Sequence, residues 1–135
     1  MAELQENTRL AREAVTPEWG TVHVFARGVI KRLGLIEDFL EARHTQDPAA
    51  VQIAESVREM LLEVLAEHDV RPFTVEPGQV LDIATRKRIT IVEPSREPGE
   101  VTEVAEVYRC GFACDNGGEA PPTLLRKVEV ATRRR

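Results

Sequence analysis

The sequence predicts an α+β protein in which a helical hairpin precedes a small all-β domain. In residues 22–68, apolar side chains recur every three or four positions, which is the period of a helix that buries one face. After Pro72, β-branched residues alternate with polar ones, which is the period of a half-buried strand. Stretches rich in Gly, Pro, Asp and Asn separate the alternating runs and supply the turns.

Length and composition narrow the classes of protein to which this chain can belong. Its 135 residues suffice for one ordinary domain or two small coupled lobes. The 42% hydrophobic and 30% charged residues are typical of a folded chain. A net charge of −5 provides no broad positive field, so we expect neither a nucleic-acid nor a membrane partner. A protein partner or a small ligand fits this charge better.

The amino-terminal sequence gives an expectation about location. The first residues, Met1 to Glu6, lack the basic start and apolar stretch of a signal peptide, and no run reaches membrane-spanning length. Without a secretory signal, the two cysteines are interpreted as reduced thiols rather than as a disulfide. We therefore expect a cytoplasmic protein.

Two helical stretches are predicted in the first third of the chain. Residues 4–15 are charged and helix-favouring, and a turn-like run around Pro17 ends them, so residues 1–20 are predicted to form a short N-terminal helical segment. From Val22 to Ala42, apolar positions follow one helical face with charged residues between them. Trp19 either packs back onto its own helix, which we favour, or serves as an exposed anchor for a partner.

The next helix has a clear start and end in the sequence. Asp47 supplies an N-cap acceptor, and Pro48 suits the first helical turn. The helix must end near His68 because Pro72 cannot continue it. With the preceding helix it forms a hairpin over residues 21–70.

The apolar stripes of this hairpin predict a dimer. Two amphipathic helices alone cannot bury both stripes and their apolar flanks, whereas a second hairpin would complete a four-helix arrangement. We therefore expect a homodimer whose core is a four-helix bundle. The expected dimer-interface residues are Phe25, Val29, Ile36, Val57, Leu61 and Val64.

Residues 71–135 are predicted to form the small β domain. Three runs in it alternate β-branched and polar residues, at positions 88–92, 101–108 and 124–130. The segments between them, 93–99 and 115–122, are rich in turn formers.

The residue types that usually carry metal chemistry are scattered. The three histidines fall one per segment, and Cys110 and Cys114 add only two thiols, whereas a structural zinc site needs four ligands. Strand alternation puts both thiols on one face with Tyr108 and Phe112, which favours buried packing. We therefore expect no metal and no cofactor.

Motifs of known enzyme classes do not occur in the sequence. It contains no Gly-rich phosphate loop, no nucleophile elbow and no His-Glu-x-x-His helix. The Asp and Glu residues lie mostly on helix faces that are predicted to be exposed, so we interpret them as solvated surface residues. The alternative is an unrecognised pair of catalytic carboxylates. We expect a binding protein and not an enzyme.

Short motifs follow the first predicted helix, Phe25 to Ala42, in a characteristic order. The segment from Val57 to Pro72 contains the second predicted helix and the residues that follow it, and Val80-Leu-Asp82 comes next. Then come Tyr108-Arg-Cys-Gly-Phe112 and, after a turn, Leu125-Arg126 with alternating valines. In order and spacing these motifs resemble the Gly-Val-x-Pro, Phe-Asp-Pro, Lys-Gly-Tyr and Leu-Arg-Pro-Ala motifs of the GrpE family.

Members of the GrpE family are nucleotide exchange factors for DnaK-type heat-shock chaperones. The resemblance implies that the β domain inserts against one lobe of the chaperone's nucleotide-binding domain and holds its cleft open. ADP then leaves without covalent chemistry. The resemblance thus implies a homodimeric co-chaperone that acts in protein folding and the stress response.

The resemblance also indicates a partner-binding surface on the β domain. It implies that Tyr108 and Arg109 lie on the strand that faces the chaperone, and an aromatic residue beside an Arg is typical of an interface hot spot. The alternative is that Tyr108 and Phe112 are core residues, whereas Arg109 points the other way and is expected to be exposed. The expected partner-binding residues are Tyr108, Arg109, Gly111, Phe112, Arg126, Arg86 and Arg88.

Two departures from the family pattern lead to a second hypothesis. Arg86-Lys87-Arg88-Ile89 stands where the family has His-Glu-Ala-Val, and the turn at 115–122 is longer and more acidic than in the family. The basic cluster either meets an acidic partner or protects an edge strand, and we favour the edge strand. The second hypothesis is a GrpE-derived adaptor or assembly module that keeps the fold and has lost exchange activity.

Overall fold

The structure, a computed structural model, describes residues 18–135. Two long helices come first, α1 (Trp19–Glu41) and α2 (Pro48–Glu67), and a β region over residues 70–134 follows. This order confirms the α+β class. The predicted helical segment at 1–20 lies outside the described residues except for its last three, of which Trp19 and Gly20 begin α1.

Local chemistry accounts for the ends of α2. The Asp47 side chain accepts a hydrogen bond from the Ala49 N–H at 3.3 Å, and Pro48 occupies the first turn. At the other end, Asp69 takes a φ of 61°, which turns the chain out of the helix. The start and end predicted for this helix are confirmed to within one residue.

Within residues 18–135, six strands form two three-stranded sheets. The first sheet has the order β1-β4-β5 and is antiparallel throughout. The second has the order β2-β6-β3, in which β6 runs parallel to β2 and antiparallel to β3. A short helix, α3 (Ile83–Arg86), precedes β2. The strands are β1 (Val70–Phe73), β2 (Ile89–Glu93), β3 (Thr102–Arg109), β4 (Gly111–Cys114), β5 (Thr123–Arg126) and β6 (Val128–Arg134).

The division into two sheets corrects two expectations. The run 124–130, predicted as one strand, is split at Lys127 between β5 and β6, which lie in different sheets. The chain also changes sheets at Cys110, between β3 and β4. Tyr108 therefore does not share a face with Phe112: Tyr108 is 43% exposed and Phe112 is 0% exposed. Alternation reports which side of a strand is buried, and it carries no signal for the point at which a chain leaves its sheet.

Two clusters of buried side chains hold the elements together. The first lies between the helix pair and the first sheet and contains Ala26, Ile30, Leu33, Leu65, Val70, Phe112 and Cys114. The second lies on one face of the second sheet and contains Val75, Leu81, Ile89, Val104, Val128 and Val130. The helix pair thus packs directly on the first sheet, while residues of the β1–β2 connection cover one face of the second.

The start of α1 is anchored to the turn between β4 and β5. His23 Nε2 lies 2.7 Å from the Asn116 side-chain oxygen, and the Asn116 amide nitrogen donates to the Pro121 carbonyl at 2.9 Å. Trp19 packs over Gly117, where an added Cβ would lie 3.0 Å from the indole ring. Trp19 therefore packs within the molecule, as favoured over an exposed anchor, but it lies against the β4–β5 turn and the first core and not only against its own helix.

The last strand is held by a buried carboxylate. Glu103 on β3 is 4% exposed and accepts hydrogen bonds from Arg133 Nε at 2.6 Å and from Arg135 Nε at 3.0 Å. The Arg133 hydrogen bond is the main reason that the pKa of Glu103 is lowered from 4.5. Arg133 and Arg135, two of the three consecutive arginines at 133–135, therefore have a structural partner.

This ion-pair cluster predicts a pH-dependent contribution to stability. Because the pKa of Glu103 is lower in the folded protein, its contribution is complete above pH 4.5 and is lost as the pH falls through the lowered value. We expect Glu103→Gln to be less stable than the parent at pH 7 and to approach it as the pH falls below 4.5. Urea unfolding of both proteins at pH 7, 4.5 and 3 measures this gap. A gap that is the same at all three values would contradict the assignment.

Candidate functional site

Two of the expected partner-binding residues lie in the interior. Phe112 is completely buried in the first core, so of the two alternatives for this ring the core interpretation is confirmed. Gly111 is also buried: a Cβ there would lie 2.5 Å from Phe73 Cζ and 2.7 Å from the Arg126 carbonyl oxygen. Only a glycine allows this close approach. The expectation that these two residues belong to an exposed surface is therefore corrected.

Arg126 joins the first sheet to α1. Its side chain is 16% exposed and pairs with both carboxylate oxygens of Glu37, which is 13% exposed. The same guanidinium donates to the Cys110 carbonyl at 2.9 Å and lies 4.9 Å from the centre of the Phe112 ring. Such a fork-to-carboxylate pair fixes geometry as well as charge. Arg126 thus positions the helix pair on the sheet.

Arg109 makes a second link to α1. Sequence alternation along its strand had predicted that the Arg109 side chain is exposed. It is only 18% exposed and bonds to Asp38, to Glu41 at 2.8 Å and to Glu129 at 3.5 Å. The Glu41 hydrogen bond is the main cause of its raised pKa. The predicted exposure of Arg109 is therefore wrong. Two of the three carboxylates that cover it, Asp38 and Glu41, come from α1, which strand periodicity cannot reveal.

Arg86 and Arg88 are exposed beside β2. Arg86 Nε donates to the Leu81 carbonyl at 3.1 Å, and the Arg88 guanidinium lies 4.6 Å from the centre of the Phe73 ring. Both side chains therefore have a packing role at this end of the second sheet, and their outer faces stay accessible.

Tyr108 is the expected partner-binding residue with the most exposed aromatic surface, at 43%. Its hydroxyl donates to Glu93 Oε2 at 2.6 Å, which ties β3 to the end of β2. This hydrogen bond is the main reason that the pKa of Tyr108 is raised to about 12. The phenol thus stays neutral at physiological pH and its ring is held in one place.

Three cavities meet at Tyr108. One of about 590 Å³ lies between the helix pair and the end of β3, and one of about 670 Å³ lies along β2, β3 and β6. The third, of about 470 Å³, shares Arg109 with the first and Val92 with the second. We call these three connected cavities the Tyr108 groove. It is open to a partner on the side of the molecule where the helices meet the second sheet.

The charged side chains around the Tyr108 groove are mainly acidic. Nine are carboxylates: Glu37, Asp38, Glu41, Glu55, Glu59, Glu93, Glu97, Glu106 and Glu129. Five are arginines: Arg43, Arg58, Arg96, Arg109 and Arg133. The groove therefore carries four more negative than positive side chains. These carboxylates were not among the expected site residues; the acidic positions of α1 are the sequence signal that could have indicated them.

The predicted dimer-interface residues are only partly covered by the rest of the described chain. Phe25 is 46% exposed and Val57 is 36% exposed. Val29, Ile36, Leu61 and Val64 are half-buried, and Leu61 and Val29 also contact the first core. Their role in a dimer stays a prediction.

Two exposed residues extend this apolar stripe. Ile53 is 66% exposed and Met60 is 62% exposed, and with Val57 and Val64 they follow a 4-3-4 spacing along α2. That spacing places the four side chains in one row on the helix. Phe25 of α1 lies beside the end of this row, with its ring 5.0 Å from that of His68. We call Phe25, Ile53, Val57, Met60 and Val64 the hairpin face.

Within residues 18–135, no group of three or more His, Cys, Asp or Glu side chains is placed to hold a metal ion. In the same range, no helix combines the length and the apolar character that crossing a membrane requires.

Comparisons with known families and curated proteins do not identify a relative of this chain. No protein-family model matches this sequence, and no curated protein matches it at a significant level.

Proposed function

We propose that this protein is a GrpE-like co-chaperone, a nucleotide exchange factor for a DnaK-type chaperone. The observation that carries the proposal is the ion-paired joint between the helix pair and the β region. Arg126 and Arg109 bind three carboxylates of one helix face, Glu37, Asp38 and Glu41. An exchange factor that opens a cleft mechanically needs such a joint, because a loose one would absorb the motion.

The molecule carries two separate accessible surfaces on either side of this joint. The hairpin face supplies exposed apolar side chains on α2. The β region supplies Tyr108 on β3, with Arg86 and Arg88 beside the start of β2, the opposite edge strand of the second sheet. In the proposed mechanism the hairpin face forms the homodimer, and the β region contacts the nucleotide-binding domain. Binding energy alone then favours the open cleft, and ADP leaves.

Release of labelled ADP from the chaperone tests this proposal. In a stopped-flow experiment, saturating protein should accelerate release over the rate of the chaperone alone. Tyr108→Ala should reduce the acceleration, while Glu76→Lys, which changes an exposed position elsewhere, should not. If the chaperone binds the protein but releases ADP at its own rate, the adaptor hypothesis replaces the exchange hypothesis.

A substitution on the hairpin face tests the proposed dimer. Met60→Glu should dissociate the dimer, because the new carboxylate would be buried without a partner in the seam. Leu35→Glu is the matched control, since Leu35 is 65% exposed and lies elsewhere on α1. Sedimentation velocity measures both. Met60 is a better probe than Leu61, which also contacts the first core. An unchanged dimer in Met60→Glu would contradict the proposal.

A further inference from the structure

One face of the second sheet is only partly covered within residues 18–135: Ala131 on it is 7% exposed, and Arg109 at its end is bonded to α1. The opposite face is covered by the second core, in which Val104, Val128 and Val130 are completely buried. The partly covered face forms the part of the Tyr108 groove that is floored by Val92, Ala105 and Ala131. Val92 is 47% exposed and stands next to the Tyr108 ring. Small side chains beside an exposed aromatic ring leave room for an incoming apolar side chain.

The charged side chains around this part of the Tyr108 groove indicate which kind of partner it can bind. The cavity that contains the floor is lined by three carboxylates and two arginines, and the other excess carboxylates of the groove lie toward the helices. Of the two arginines, Arg133 is paired with Glu103, whereas no described residue forms an ion pair with Glu97 or Glu106, so the potential here is negative. Arg109 adds no free positive charge, because three carboxylates surround it. A negative cleft attracts cations and repels phosphates and anionic lipids. Nucleic acid and anionic membrane surfaces are therefore poor occupants.

We propose that the Tyr108 groove binds an extended, basic segment of a protein partner, one that carries an apolar side chain between Lys or Arg residues. The apolar side chain lies on Val92 and Ala105 beside the Tyr108 ring. The flanking cations meet Glu106 and Glu97 at the rim. An Arg of the partner also fits over the exposed Tyr108 ring, whose orientation the Glu93 hydrogen bond fixes. The inference rests on the proposed function in one respect, namely that this side of the β region contacts a protein.

Binding of a defined peptide to the full-length protein tests the inference without a chaperone. The probe is a fluorescein-labelled 12-residue peptide of alternating Arg and Leu, and its control replaces every Arg with Glu. In fluorescence anisotropy at moderate salt, the basic peptide should bind and the acidic one should not. Affinity should fall as salt rises, because the contact is partly electrostatic.

Two groove variants and one matched control locate the binding site. Glu106→Lys should weaken binding about tenfold by reversing a rim charge, and Tyr108→Ala should weaken it by a similar factor without changing the net charge. Glu76→Lys makes the same charge change as Glu106→Lys at an exposed position outside the groove and should leave binding nearly unchanged. Circular dichroism confirms that each variant is folded.

The outcomes separate this inference from the proposed function. The proposed binding site would be overturned if Tyr108→Ala binds the basic peptide as tightly as the parent does. It would also be overturned if Glu76→Lys and Glu106→Lys lose equal affinity, because net charge alone would then explain the binding. Failure of the basic peptide to bind the parent would also overturn it, even if ADP release is accelerated. Peptide binding that depends on Tyr108, without any acceleration of ADP release, would support the groove as a peptide-binding site and contradict the proposed exchange function.

Discussion

Replacing Phe112 with Ala should destabilise the protein by about 3–5 kcal/mol, the usual cost of removing a fully buried aromatic ring. Phe112 is the largest completely buried side chain of the described residues, and it packs in the core between the helix pair and the first sheet. Its removal also takes away the ring beneath the Arg126 guanidinium. Urea unfolding followed by circular dichroism measures the change.

Tyr108→Ala is the control for this experiment. Tyr108 stands four residues earlier and is 43% exposed, so its removal should leave the urea midpoint close to that of the parent. The two substitutions would then distinguish a residue that stabilises the fold, Phe112, from one that is proposed to act in binding, Tyr108. If Phe112→Ala unfolds at the parent's midpoint and weakens partner binding instead, Phe112 belongs to an interface and the core assignment fails.

Replacing Arg126 with Ala should cost about 3 kcal/mol or more, because it leaves the Glu37 carboxylate buried without its counterion. Arg43→Ala is the matched control. The pair of Arg43 with Glu55 is 3.5 Å long and its side chains are 60% and 51% exposed, so this change should cost less than about 1 kcal/mol. Equal effects of the two substitutions on urea unfolding would contradict a buried role for Arg126.

A double substitution separates the stability of the joint from its function. Arg126→Met with Glu37→Leu removes both charges and should recover much of the stability lost in Arg126→Ala, since apolar side chains of similar volume often replace a buried pair. If the ion-paired joint matters for exchange, this stable variant should bind the chaperone and accelerate ADP release less than the parent. Full acceleration would show that the Arg126–Glu37 pair serves folding alone.

The helical part of the protein could be predicted from the sequence because its signals are local. The apolar period of α1 and α2 lies within each helix, and Asp47 with Pro48 marks a start through contacts one or two residues away. The amphipathic pattern also indicated the stripe on α2, which the structure leaves partly exposed through Val57 and Val64.

The β region was predicted less completely. Alternation located β2 and β3, but β1, with Pro72 inside it, and the four-residue helix α3 were not predicted, because each is too short for a period to show. The positions at which the chain changes sheets, Cys110 and Lys127, depend on how the two sheets pack against the helices and against residues 75–81.

The sequence by itself determined the α+β class, the two long helices and the absence of recognised catalytic motifs, since these depend on composition and on neighbours within a few positions. Only the tertiary structure decided which side chains are accessible. Arg109 meets Glu41 across 68 positions, and Arg126 meets Glu37 across 89. Burial and ion pairing of this kind arise from contacts between distant segments, and neither has a period along the chain. The same contacts covered Arg109 and Phe112 and left Tyr108 at the centre of an acidic groove.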